Sequence, residues 1–384
     1  MSVWDIVVGQ EQVVQRLKKV ACADASKIAQ SWLICGADGF GSVQVARAFA
    51  AALESPDYGE AENGELSKTA KEVLAGSHPD VHTLATQGVT LSVDAVREVI
   101  GISEQMPSTA PWRIIIIEDV GRMIERSTNV LLKEIEEPSE HTIWLLCASS
   151  AQNVLPTIRS RTQLVQLATP GIQSIAEYVS KKTGVDNNLA NRAARFSQGN
   201  IESALLYATD ENSLSRRDEL VAGLLRMHDS GDAIMLAAML IEDAKAQAED
   251  EVQRSVEAQQ KEFRRINGLT KEDRIPPKLR TSYNAIGKKD DVKRKVTRVS
   301  RDVLGRSLDA VSSVYRDVLV VLNNAQDSSP LINQEYKTGI IAISKKLGVK
   351  RALNCVDNIA IARRRLAGNG NATLVFEALF CSLL

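Results

Sequence analysis

The residues of this 384-residue chain that are best placed to do chemistry begin at Gly36. Gly36, Gly39 and Gly41, followed by Ser42 and Val43, have the glycine spacing of GxxxxGK[ST], a loop whose backbone N–H groups cradle phosphates at a helix N-terminus. Two of its chemical groups are missing. Ser42 stands where the lysine belongs and Val43 where the Mg²⁺-ligating hydroxyl belongs, so the loop keeps its shape without the groups that bind and activate a triphosphate. A glycine turn of an ordinary α/β domain reads the same way, and the loop alone does not separate the two. A second feature breaks the tie. Ile114, Ile115, Ile116 and Ile117 run into Glu118 and Asp119, an apolar strand ending in two acids. Triphosphate hydrolysis calls for Asp on the metal, then Glu against the attacking water. The inverted order misplaces both carboxylates. As structural groups, acids at a strand end are solvated or cap the next helix, so on either reading no hydrolysis is expected.

These residues need strands and helices to hold them. Residues 31–35, 81–84, 114–117 and 142–147 are short apolar runs of buried-strand type, while 43–53, 93–105 and 123–136 carry helical spacing. The alternation predicts a parallel sheet covered by helices on both faces, with ligand sites at the carboxyl ends of its strands. After Pro170 the strand signal stops. Residues 172–182, 188–197 and 201–207 read as three short helices, and 217–228, 233–263, 292–323, 337–347, 350–366 and 374–383 as further, mostly longer ones. Gly268, Pro276, Pro277 and Gly287 mark residues 267–287 as a loop or linker. The fold class expected is α/β followed by all-α.

Four segments together carry a resemblance. They are residues 36–43, then 112–119, then Asn129, Leu131, Leu132, Lys133, Glu136, Glu137 and Pro138, then Thr157, Arg159, Ser160 and Arg161. This set resembles the bacterial clamp-loader branch of the AAA+ ATPases, and the run N-x-L-L-K-x-x-E-E-P followed by T-x-R-S-R is far more specific than the glycine loop. The resemblance covers residues 1 to about 210 and implies three domains: an AAA+-like α/β domain at 1–170, a small helical lid at 171–212 and a helical collar at 213–384. It also implies roles. Ser160 and Arg161 match the S-R-C motif, whose arginine reaches a neighbouring subunit's ATP site, with Thr162 replacing the cysteine. A guanidinium suits that task because it is always charged and presents a planar fork to phosphate oxygens. Residues 4–10 correspond to the segment near the adenine pocket, Ser149 and Ser150 to sensor 1, and 198–205 to sensor 2, where Glu202 replaces an ATP-contacting arginine.

The same resemblance would place a four-cysteine zinc module before Gly76, Ser77, His78, Pro79 and Asp80, but residues 54–75 contain no cysteine. His78 and His82 have no thiolate company, and a structural zinc needs about four N or S ligands. No metal or cofactor is expected, and residues 55–68 read as a mobile surface loop. The implied partners are a gamma/tau motor subunit, a delta subunit and, indirectly, the beta sliding clamp and primed DNA. The expected role is a non-catalytic subunit with vestigial loop (Gly36, Gly39, Gly41, Ser42, Val43) and vestigial acids (Glu118, Asp119), supplying Arg161 in trans. Two alternatives stand beside it. One is an active ATPase using Glu118 or Asp119 on the metal. The other is a DNA-binding adaptor working through residues 271–306, which hold twelve Lys or Arg against five acids and Tyr283 as the single aromatic.

Composition bounds the rest. With 47 Lys+Arg against 48 Asp+Glu, the chain is not a globally basic nucleic-acid coat. Its five cysteines are scattered and odd in number, which speaks against a disulfide framework and for a reducing, cytoplasmic setting. No apolar run approaches the ~18 residues of a membrane span.

Overall fold

Five strands form one parallel sheet in the order β2-β3-β4-β1-β5: β1 Ser31–Cys35, β2 Val81–Leu84, β3 Arg113–Ile117, β4 Thr142–Ala148 and β5 Gln163–Gln166. The computed structural model describes residues 1–61, 64–85, 91–270 and 273–384, in two compact units, Met1–Thr209 and Asp210–Leu384. β1 runs beside β4 from Ser31 opposite Trp144 to Cys35 opposite Ala148. Connections leave β1 toward one edge of the sheet and β4 toward the other, so a crevice opens beyond the carboxyl ends of this pair.

Both faces of the sheet are buried, as the continuous apolar runs require. Trp32, Ile34, Ile114, Ile116, Leu145 and Cys147 face a core with α1 (Glu11–Ala21), α2 (Ser42–Glu54) and α3 (Lys68–Ala75). Leu33, Cys35, Ile115, Ile117, Trp144 and Leu146 face α4 (Val93–Ser103), α5 (Glu125–Glu136) and α6 (Pro156–Arg159). The period-two alternation of the strands thus assigns each residue to one layer or the other. The first unit closes with α7 (Ile172–Thr183), α8 (Asn187–Ser197) and α9 (Ile201–Thr209).

Among its described residues the second unit is all-helical: α10 (Glu211–Arg226), α11 (Ser230–Ile266), α12 (Arg280–Ala285), α13 (Lys289–Leu322), α14 (Lys337–Ala367) and α15 (Ala372–Ser382). α11 buries Ala233, Ala237, Ala244 and Ala248, small residues that let α13 pack closely. α14 breaks at Gly348, whose φ of +65° is left-handed, which matches the two separate helices read from the sequence. Asp317 is fully buried and accepts hydrogen bonds from the Ile332 and Asn333 backbone N–H groups at 3.0 and 2.7 Å, fixing the chain before α14.

α1, α3, α6, α12 and β5 were not among the elements read from the sequence, and α12 lies within the stretch 267–287 read there as a loop or linker. β5 is an edge strand with exposed Gln163 and Gln166 flanking a short apolar pair, too brief to register as a buried run. The segment 55–68, read as a mobile loop, is tied along its first part: Val3 N–H donates to Gly59 O at 2.9 Å, and Lys18 pairs with Glu60 at 2.5 Å. Glu62 and Asn63 of that segment lie outside the described residues.

Candidate functional site

The glycine loop leaves β1 at the crevice and enters α2. Gly36 N–H donates to Ala148 O at 3.0 Å, Phe40 N–H to Ala37 O at 2.9 Å, and Gly39 and Gly41 have φ of +81° and +91°, conformations that glycine adopts without strain. The loop geometry therefore survives, with Ser42 as the first residue of α2. Above the loop lies the chain's own helical segment. Ile201 N–H donates to Gly39 O at 2.9 Å, Asn200 Nδ2 to Asp38 O at 3.1 Å, and a Cβ on Gly39 would meet the Asn200 amide at 2.2 Å. Asn200 also caps α9 through Ser203 N–H at 2.8 Å. The glycine at position 39 thus makes room for an internal side chain.

Glu118 and Asp119 follow β3, and each has an internal cation. Arg47 Nη2 lies 3.2 Å from Glu118 Oε1, and Arg122 Nε lies 2.8 Å from Asp119 Oδ2. Asp119 further accepts from Gly121 N–H at 3.2 Å, so it caps the short turn after the strand. Arg47 is a functional candidate that the sequence reading missed. It sits four residues after Val43 and so on the same helix face, with its side chain leaning back toward the loop. A cation one turn beyond the metal-ligating position was the available signal.

The remaining positions are engaged locally. Ser150 Oγ accepts from Gln152 N–H at 3.2 Å and Ser149 Oγ from Asn153 Nδ2 at 3.1 Å, while Glu202 is exposed in the first turn of α9, where an acid is favoured by the helix dipole. Gln10 is buried and exchanges two hydrogen bonds with Ala168, at 2.7 and 3.0 Å, which fixes the segment after Trp4 against the chain leaving β5.

Arg161 lies just after α6. Its Nε pairs with Glu136 Oε1 at the end of α5, and its Nη1 donates to Thr157 O at 3.1 Å and Ser160 Oγ at 3.3 Å. Glu136 belongs to the N-x-L-L-K-x-x-E-E-P run, so the two halves of the specific motif meet in one ion pair. Both side chains remain about two-fifths exposed, 40% and 45%.

His78 and His82 are used within the fold. His78 Nδ1 accepts from Asp80 N–H at 3.2 Å, and His82 Nε2 lies 3.3 Å from Arg113 Nη1. Burial and that guanidinium lower the His82 pKa. Among the described residues no group of three His, Cys, Asp or Glu is placed to hold a metal.

Glu54, at the end of α2, is 4% exposed, and its carboxyl is pushed up to about 8 by burial, with nearby Asp80 adding to the effect and the Trp112 N–H at 3.4 Å and Arg113 opposing it. The folded chain then holds a proton that the unfolded chain releases above its ordinary pKa of 4.5. Stability is lost as pH rises between these two values, by about 1.4 kcal/mol per pH unit for a single such group. Glu54→Gln should remove that slope and raise the melting temperature at pH 7.5 but not at pH 4. All four tryptophans lie in the first unit, so their fluorescence follows it. Equal melting curves for variant and native protein across pH 5–8 would rule the protonated carboxyl out.

Residues 9–171 match the sequence model of the family described as DNA polymerase III, delta subunit. Over 168 residues the chain is 32% identical to DNA polymerase III subunit delta' of Escherichia coli, covering 43% of this chain and 50% of that protein. It is 34% identical to the Haemophilus influenzae delta' subunit over 114 residues, covering 29% and 35%, and 29% identical to a gamma/tau subunit of Mycobacterium tuberculosis over 157 residues, covering 41% and 27%. The chain thus spans half or less of these relatives' length. A solved gamma-subunit-related protein of Thermotoga maritima aligns with 96% of this chain and 98% of its own at a TM-score of 0.44 and 16% identity. The resemblance to clamp-loader subunits, read from four motifs, is the one these relatives support, with delta' subunits among them. No described helix is long and apolar enough to cross a membrane.

Proposed function

We propose that this chain is a delta-prime-type, non-catalytic subunit of a bacterial replicative clamp loader, acting in the cytoplasm. In this reading it stacks against a gamma/tau-type motor subunit and supplies Arg161 to that neighbour's ATP site. Its helical second unit joins a collar, and the ring also contains a delta subunit and acts on the beta sliding clamp at primed DNA. Three domains, at 1–170, 171–212 and 213–384, would serve these parts.

The observation that carries the reading is the Arg47–Glu118 ion pair beside a loop with Ser42 in place of lysine. A guanidinium stands against the carboxylate that a magnesium ion would need, and a cation close to that position repels the metal. Asn200 over Gly39 adds steric opposition to phosphate. Arg161, by contrast, lies at the surface on a pair that solvent already weakens.

Titration of the isolated protein with a fluorescent ATP analogue and Mg²⁺ should show no binding up to about 100 μM, well above the few-micromolar range in which a working site would register. Micromolar affinity accompanied by turnover would instead establish the active-ATPase alternative, with Glu118 or Asp119 on the metal.

A further inference from the structure

α11 and α13 extend well beyond the core of the second unit. At 37 and 34 residues they are each roughly 50 Å long, and the apolar cluster they share involves mainly the first half of α11 and the second half of α13. The distal part is a two-helix hairpin with its own small anchor. Val252 and Val256 are buried, a Cβ on Gly287 would come within 3.0 Å of Val256, and the Phe263 and Tyr283 rings meet edge to face at 5.7 Å with Arg264 over Tyr283 at 5.3 Å.

The charge on this hairpin is lopsided. Residues 274–301 hold ten Lys or Arg against two Asp, in a chain whose net charge is −1. Arg274, Lys278, Arg280, Lys288, Lys289, Lys293 and Arg294 are all exposed, and among the described residues none of them is in an ion pair. Two nearby acids are spent locally, Glu262 on Arg265 at 2.7 Å and Asp273 on the Thr270 N–H and hydroxyl, while Asp290 and Asp291 lie in the first turn of α13. Lys271 and Glu272, the first two residues of the basic stretch read from the sequence, lie outside the described residues.

We infer that the tip of this hairpin binds the phosphate backbone of duplex DNA without reading its sequence. Self-repulsion among closely spaced cations is a standing cost unless a polyanion relieves it. From Lys288 to Arg301 the helix rises about 20 Å, a length along which duplex DNA presents about a dozen phosphate charges. A duplex fits better than a single strand because the one aromatic of the stretch, Tyr283, is already packed between Phe263 and Arg264 and offers no free face for base stacking. The inference rests on this surface alone and stands whether or not Arg161 acts on a neighbour.

The test uses the full chain and a labelled 20-base-pair duplex, with anisotropy read from 50 to 300 mM salt. Native protein should bind with an affinity that falls steeply with salt. Lys289→Gln/Lys293→Gln/Arg294→Gln should weaken binding at 50 mM salt at least tenfold and reduce the log–log salt slope by about 3, one per lost phosphate contact. A matched variant, Lys345→Gln/Lys346→Gln/Lys350→Gln, removes three exposed cations elsewhere in the same unit and should change neither. The inference is overturned by absence of binding at 50 mM salt, by equal effects of the two triple variants, or by a hairpin variant that binds as native protein does. It is also overturned if poly-glutamate or phosphatidylserine vesicles bind the hairpin as tightly as the duplex, which would assign the tip to an acidic protein or a membrane.

Discussion

Arg161→Ala in a reconstituted clamp-loader complex is expected, on the proposed role in trans, to slow hydrolysis at the neighbouring ATP site on the order of 10³-fold, the usual worth of an arginine finger. On the same proposal total ATP turnover would fall only by that one site's share. Single-turnover hydrolysis in the presence of clamp and primed DNA is therefore the measurement to make. The variant should still assemble, since Arg161 is exposed and makes its bonds to Glu136, Thr157 and Ser160 at the surface of the α/β unit. The Glu136 pair does not hold the guanidinium back: an exposed pair is worth about 0–1 kcal/mol, and a triphosphate carries several times the charge of one carboxylate. Lysine at this position should rescue little, because it has the charge without the planar fork. Unchanged clamp-stimulated hydrolysis in Arg161→Ala would remove the trans-acting role, while leaving the loop geometry and the Arg47–Glu118 pair untouched as observations.

The sheet was legible because its strands are buried on both faces and so appear as unbroken runs such as Ile114 to Ile117. β5 escaped because an edge strand needs only one or two apolar residues, and α1 because Gln12, Gln15, Arg16 and Lys19 dilute its apolar stripe. The long helices of the second unit were placed to within a few residues, and the break read between 347 and 350 falls on Gly348, whose φ glycine reaches without strain. At the site, the missing lysine and hydroxyl could be read directly from Ser42 and Val43, since losing a group needs no geometry. The contacts made around the loop could not. Arg47 meets Glu118 across 71 residues of sequence and Asn200 meets Gly39 across 161, and only the folded chain brings such groups together. The Arg161–Glu136 pair lay between these cases: both residues belong to motifs that were singled out, but their contact is a property of how α6 packs beside α5.

The largest stability effect in the first unit should come from Asp80, at the opposite, amino-terminal end of the strands. Its carboxylate is fully buried and accepts four hydrogen bonds, from the backbone N–H and hydroxyl of Ser108 at 2.7 and 2.9 Å and of Thr109 at 2.8 and 2.7 Å, with Arg113 Nη1 at 3.1 Å. Burial by itself pushes the acid up, and the Ser108 and Thr109 donors outweigh it, leaving the carboxyl well below the usual carboxylate range. A depressed acid contributes stability above its unfolded pKa and loses it only as pH falls toward the folded value, so the contribution is fully present at neutral pH. Asp80→Ala leaves Arg113 as a buried charge with its counterion gone and four donors unmet. Arg113 keeps its bonds to the carbonyls of Pro79, Gln105 and Met106, at 3.1, 3.3 and 2.7 Å, which limits but does not cancel the loss. Breaking one side of a buried pair costs about 3–5 kcal/mol. For a unit of this size that is a fall in melting temperature of roughly 10 °C, read by tryptophan fluorescence at pH 7. Asp80→Asn, which keeps an acceptor oxygen, should fall about half as far. An Asp80→Ala protein that melts within 2 °C of the native one would show that this cluster adds nothing net to the fold, its desolvation having consumed the whole of its attraction.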